Sequence, residues 1–203
     1  NLKLTLSKEK TLITHASTTA ARFLGYDIKV QRVNDYIDPT GRRGLNGVIG
    51  LYVPPKIIEA KCAKYLRKGK TIHRSELLKD SDFTIVATYQ QEYRGIVQYY
   101  LPAMNVAWFS KLHWIMQGSL LKTLAAKHQS SMRKMKRKYA TTTTDARTGN
   151  TLKCLEVRVE RTGKRTLVAR WGGISLARQP RTVIDDQPYR VRGGRTELLK
   201  RLL

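Results

Sequence analysis

Residues 93–144 carry nine Lys and Arg and not one Asp or Glu. This stretch is expected to turn its cations outward, because nothing within it neutralises them and an unpaired ammonium is very costly to bury. The rest of the chain deepens the imbalance: among 203 residues, 39 basic side chains stand against 15 acidic ones, a net charge of +24. The excess is uneven. It is +4 over residues 1–53, +3 over 54–92, +9 over 93–144, zero over 145–152 and +8 over 153–203. With 41% hydrophobic residues the chain can still build a core. A folded protein with such a surplus calls for a polyanionic partner.

Several function classes lose support at once. Cys62 and Cys154 stand far apart and form neither a disulfide framework nor a metal knuckle. There is no signal peptide, and no apolar run approaches the ~20 residues needed to span a bilayer. The expectation is an intracellular protein, not a secreted or membrane one. P-loop, G-x-S-x-G and Cys/His constellations are missing. The adjacent acids Asp185 and Asp186 have no third carboxylate at a readable spacing and read as a turn, not a metal site. The chain opens on Asn1 and closes at Leu203 inside an apparent helix beginning at Arg195, so it reads as a segment of a longer protein.

Four blocks follow from sequence character. In residues 1–53, the runs Lys10 to His15 and Ala21 to Gln31, separated by residues 16–19, predict a hairpin with a longer loop. Glycines at 41, 44, 47 and 50 with Pro39 predict a turn-rich excursion. In residues 54–140, Pro54-Pro55 suits a helix start, Ile58, Cys62, Tyr65 and Leu66 repeat at helical spacing, and Gly69 is expected as the C-terminal cap. Asp82 is expected to cap a second helix whose stripe runs through Ile85, Val86, Tyr89, Tyr93, Ile96, Val97 and Tyr100 to near Pro102. These tyrosines, with Trp108 and Trp114, read as bundle core. Residues 141–152 read as a linker. In 153–203, Leu155, Val157 and Val159 alternate with Glu156, Arg158 and Glu160 ahead of a turn at residues 161–164, which predicts a β-hairpin. Trp171-Gly172-Gly173 reads either as a packed Trp with a structural turn or as a place where backbone approaches a ligand.

The basic stretch is expected as one helix from about Ser119 to Tyr139. At about 100° per residue, Lys122, Lys127, Arg133, Lys134, Lys136, Arg137 and Lys138 occupy one arc. Leu121, Leu124, Ala125, Met132, Met135 and Tyr139 occupy the other, and His128 falls with them as a packed histidine with a hydrogen-bonded ring. An ordinary solvent face mixes signs through i,i+4 pairs. A face with seven cations and no acid suits a phosphate backbone better.

Several stretches together resemble the group II intron-encoded reverse transcriptase/maturases. The opening residues 4–11, with Lys10 as a basic position, and Phe23-Leu24-Gly25-Tyr26 look like the end of that family's polymerase palm, with Phe23, Leu24 and Gly25 as the primer grip. Arg94-Gly95, Tyr99-Tyr100 and the run Ser119 to Lys127 look like its thumb, or maturase domain X. Gly172-Gly173-Ile174 and Arg195 to Leu199 are similar to the DNA-binding region of some members. The resemblance implies an α+β fold: the β-hairpin end of a palm, an α-helical thumb bundle, and a small C-terminal extension containing a β-hairpin. It adds Arg94 and Thr123 to the seven cations as RNA contacts. Arg158, Arg165, Arg170, Trp171, Arg178, Arg181, Arg190 and Arg192 are the expected DNA contacts. The implied partners are group II intron RNA, target DNA, an RNA–DNA template-primer and the rest of the reverse transcriptase upstream. The implied location is the bacterial cytoplasm or an organelle. The parent polymerase would need Mg2+, while this segment holds no polymerase carboxylates and is expected to carry no cofactor. Two other classes also fit the charge: a non-enzymatic RNA-binding protein of ribosomal or chaperone type, and the DNA-binding module of a nuclease or integrase.

Overall fold

The protein is described by a computed structural model over residues 13–15, 17–31, 37, 41, 47–145 and 149–179. Lys10, Arg181, Arg190, Arg192, the Asp185-Asp186 pair and the helix expected from Arg195 to Leu203 lie outside the described residues. The fold is α+β. It begins with a three-stranded antiparallel sheet of β1 (Ala21–Phe23), β2 (Tyr26–Val30) and β3 (Ile49–Tyr52), in that order. The run from residue 21 to 31 therefore folds back on itself as a hairpin, while residues 10–12 of the other expected strand lie outside the described residues. Its turn is Leu24-Gly25, both at positive φ (46° and 76°) between the paired Phe23 and Tyr26. That is the two-residue geometry matching strand twist.

Helix α1 (Pro55–Ala63) starts at the second proline, as expected, but ends six residues before Gly69. Gly69 instead takes φ +72° in the turn of a small hairpin, β4 (Leu66–Arg67) and β5 (Lys70–Thr71). Helix α2 (Asp82–Tyr99) is capped by the Ser81 hydroxyl, which accepts from Thr84 N at 3.1 Å, with Asp82 in its first turn. Its stripe is as predicted: Ile85, Val86, Tyr89, Tyr93, Val97 and Tyr100 are all buried.

The expected 21-residue basic helix is two helices, α3 (Phe109–Lys127) and α4 (Met132–Tyr139). The break is a Schellman cap: Gln129 at φ +45°, Ser130 N to Ala125 O at 2.8 Å, and Gln129 N to Ala126 O at 3.3 Å. Ser131 then caps α4 by accepting from Lys134 N at 3.3 Å. Glutamine stands where glycine usually marks such a stop, so the helical period runs straight through it.

Residues 140–144, most of them expected in a linker, form β6 (Ala140–Thr144), which pairs antiparallel with β7 (Thr151–Arg161). β7 pairs in turn with β8 (Lys164–Gly172) through the predicted turn. Alternation sorts the hairpin: Leu155, Val157, Ala169 and Trp171 are buried, while Arg158 and Arg170 face out. This sheet lies on α2, and its inward residues join one core with the helices. Among the described residues no helix is long and apolar enough to cross a membrane.

Candidate nucleic-acid interface

Helix α4 has the sequence MRKMKRKY. Met132, Met135 and Tyr139 recur at i, i+3 and i+7, and they dock it on the bundle: Met135 and Tyr139 are buried and Met132 packs against the core. The remaining five residues, Arg133, Lys134, Lys136, Arg137 and Lys138, are all exposed. Among the described residues none of them pairs with a carboxylate. Three of them fill the last turn, where they complement the helix dipole. The helix covers about 12 Å, at about 1.5 Å per residue, so it reaches two or three phosphates rather than the longer track expected of a continuous helix.

The other predicted RNA contacts are placed differently. Lys122 Nζ donates to Thr71 O at 2.5 Å. Lys127 Nζ donates to Asp80 O at 2.5 Å and to Asp82 Oδ1 at 2.8 Å. Both lysines tie α3 to the loop and strand beneath it and are not outward cations. Thr123 is fully buried, bonded to Tyr89 Oη at 3.1 Å, to Ser119 O at 2.9 Å and to Arg74 N at 3.0 Å. It satisfies interior polar groups and has no face for RNA.

Asp82 is the hub that fixes α4. His128 Nε2 stands 2.8 Å from its Oδ2, and Tyr139 Oη donates to the same oxygen at 2.5 Å, beside the Lys127 bond. Burial pushes its carboxyl up, but the bonds from Lys127, Tyr139 and His128 outweigh that and hold it at about 2. His128 is thus an exposed partner of Asp82 at the end of α3, not a histidine packed among apolar side chains.

On the hairpin, Glu156 sits between two expected DNA contacts. Arg158 Nε donates to its Oε1 at 2.5 Å, and Arg170 Nε donates to its Oε2. These bonds lower the Glu156 carboxyl, so the trio presents one net positive charge. Arg165 is exposed, and its carbonyl accepts Arg161 Nη2 at 2.7 Å across the turn. Arg178 is exposed, with Nε on Pro102 O at 3.1 Å. Arg94, exposed on α2, lines a groove of about 380 Å³ with Arg170 and Gly173.

Trp171 is 0% exposed, stacked on His113 at 5.4 Å and set against Tyr93 at 5.1 Å. The interior therefore holds this expected DNA contact. The close backbone approach that Gly172 permits is to the protein itself: Gln90 accepts from Gly172 N at 2.9 Å and donates to Gly172 O at 3.2 Å. A Cβ on Gly172, at φ +85°, would stand 3.3 Å from both His113 Nε2 and Lys153 O.

The two basic blocks, apart in sequence, meet in space. Lys138 of α4 and Arg158 of β7 line one groove of about 510 Å³. At the far edge of the molecule, the Phe23-Leu24-Gly25 turn is held from α2: Tyr99 Oη donates to Leu24 O, and Tyr100 Oη donates to Gly25 O at 3.1 Å. Phe23 and Leu24 leave their side chains 63% and 68% exposed. Two residues expected in the core are also at the surface, Trp108 at 53% and Trp114 at 72% exposure. The period of α3 does carry a signal for Trp114: at about 100° per residue it lies about 140° from Phe109, off the buried stripe of Phe109, Leu112, Met116 and Leu120. Among the described residues no group of three or more His, Cys, Asp or Glu stands together as a metal-ligand cluster.

The chain is 39% identical over 144 residues to the group II intron-encoded protein LtrA of Lactococcus lactis subsp. cremoris, covering 66% of this chain and 24% of that protein. It is 29% identical over 147 residues to the putative COX1/OXI3 intron 1 protein of Saccharomyces cerevisiae, covering 64% of this chain and 17% of the relative. The chain thus spans about a quarter of the first relative's length and less of the second's. The type II intron maturase model matches residues 55–167, from the first turn of α1 into β8. With more than half its length inside that match, the chain belongs to the type II intron maturase family.

Proposed function

We propose that this chain is the nucleic-acid-gripping part of a group II intron maturase/reverse transcriptase, binding intron RNA to promote splicing and reverse splicing. The observation that carries the reading is α4: five exposed cations on eight residues, with no carboxylate partner among the described residues, on a helix docked on the bundle by Met135 and by the Tyr139 bond to Asp82. Such a surface holds a polyanion by backbone and shape rather than by reading base edges. Protein grip then stabilises the folded RNA, and the RNA carries out the splicing chemistry.

Within this reading, residues 54–140 act as thumb, residues 1–53 as the end of the palm, and 153–203, joined through 141–152, as the DNA-side region. Phe23, Leu24 and Gly25 position the primer end. Arg158, Arg165, Arg170 and Arg178, with Arg94 beside Arg170, grip target DNA or the template-primer during target-primed reverse transcription. The chain serves an RNA-directed DNA polymerase, but we assign the Mg2+ chemistry of synthesis to none of its described residues.

The test is competition binding at moderate salt between the cognate intron RNA and generic structured RNA of equal length. A preference of about a hundredfold, abolished when the α4 cations become Gln, supports a maturase surface. Equal binding of both RNAs makes the charge a general polyanion grip and overturns the maturase assignment for this surface.

A further inference from the structure

The most exposed tryptophan of the chain lies in a cleft rimmed by cations. Trp114, 72% exposed on α3, lines a depression of about 450 Å³ whose floor is Gly118, Leu121 and Met132 and whose far wall carries Arg133 and Lys136 of α4. Through Gln117 and Lys136 this depression continues into a second, of about 470 Å³, bordered by Thr141, Thr142 and Lys153. Among the described residues no Asp or Glu lines either one. The break between α3 and α4 opens the first cleft, because it turns α4 across the side of α3 instead of extending it.

We propose that this groove takes an unpaired RNA strand, with one base stacked on Trp114 and the neighbouring phosphates held by Arg133, Lys136 and Lys153. A large apolar ring left in water beside two cations, Arg133 and Lys136, loses hydration on contact with an open π-face. Base–aromatic stacking with cations tracking the backbone is how sequence-tolerant single-strand sites are built. A paired base is closed to such a ring, because its faces are already stacked inside the helix. This site deepens the proposed intron-RNA function and rests on it, by adding a contact selective for looped or single-stranded segments to the duplex-tolerant cations of α4.

The test uses the 203-residue chain with three ligands of about 10 nucleotides: an unpaired RNA, a blunt RNA duplex and an abasic strand of the same charge. Trp114→Ala is expected to weaken the unpaired RNA about 5- to 150-fold while leaving the duplex and abasic strand unchanged. Trp114→Phe should retain most of the affinity. In a Trp108→Phe background the remaining emission comes from Trp114 and the buried Trp171. Saturating unpaired RNA should quench the Trp114 share, and the abasic strand should not. If Trp114→Ala leaves the unpaired RNA unaffected, or weakens the abasic strand equally, or if no quenching accompanies saturation, the stacking site is overturned. The broader RNA reading fails separately, when wild-type protein binds none of the three ligands.

Discussion

The last turns of α3 and the whole of α4 look alike in sequence, since both are lysine-rich and lack acids. In space they do opposite work. Lys122 and Lys127 direct their ammonium groups to Thr71 O, Asp80 O and Asp82, closing the bundle from within. The five cations of α4 meet no carboxylate among the described residues and point outward. A cation's role is set by the acids and carbonyls that tertiary structure brings to it, and those lie about 45 residues away in the chain for Lys127. The hairpin falls between the extremes. Arg158 and Arg170 are exposed, yet Glu156 takes the Nε of each.

The sharpest way to break this comparison is to destroy the docked side. Leu124 is 0% exposed, so Leu124→Asp buries a charge with no partner and should cost more than about 4 kcal/mol. Loss of the cooperative thermal transition is the expected readout. A retained transition would mean that α3 is not held by that face.

Next in size is the contrast between the two sets of lysines. Changing Arg133, Lys134, Arg137 and Lys138 to Gln should leave the thermal midpoint in place. It should flatten the dependence of log K on log salt by about 0.7–0.9 for each phosphate that is no longer neutralised. Lys127→Gln should do the reverse, lowering stability by about 1–2 kcal/mol with an unaltered salt slope. Equal salt effects from both variants would erase the distinction between closing and presenting cations.

Asp82 gives a smaller, pH-resolved effect. Its carboxyl is held at about 2, below the ordinary 3.8. Stability from this group is therefore complete above about pH 4, declines as pH falls toward 2, and is absent below. Asp82→Asn should lose about 1–2 kcal/mol at neutral pH after discounting for solvent screening. Denaturant titrations of variant and parent should converge near pH 2; curves that stay parallel to that point would exclude Asp82 as the clamp. The smallest expected change is Glu156→Gln. Removing one negative charge between Arg158 and Arg170 should steepen the salt slope by at most about 0.9 log units. A slope that flattened instead would mean that Glu156 orients the two guanidiniums for binding.

Much of the fold is legible in the chain alone. The α2 stripe from Ile85 to Tyr100, the proline start of α1 and the β7–β8 alternation each follow local rules of period and capping, and all three hold. The break at residues 128–131 is not legible, because Gln129 takes a left-handed conformation that glycine would have advertised. Trp108, Trp114 and Trp171 show the limit most plainly. Their bulk predicts burial or binding equally well; the packing of β8 on α2 puts Trp171 inside, whereas Trp114 is exposed because it lies off the apolar stripe of α3.

By itself the sequence determined that this protein carries a large unbalanced positive charge, that it is α+β, and which faces of its helices are apolar. Those properties depend on composition and on spacing within one element, where neighbours in the chain are neighbours in space. Tertiary structure alone decided which cations remain available, that Trp171 is buried, and that the two basic blocks meet at Lys138 and Arg158. Each of those depends on contacts between residues far apart in the chain, and no local period encodes them.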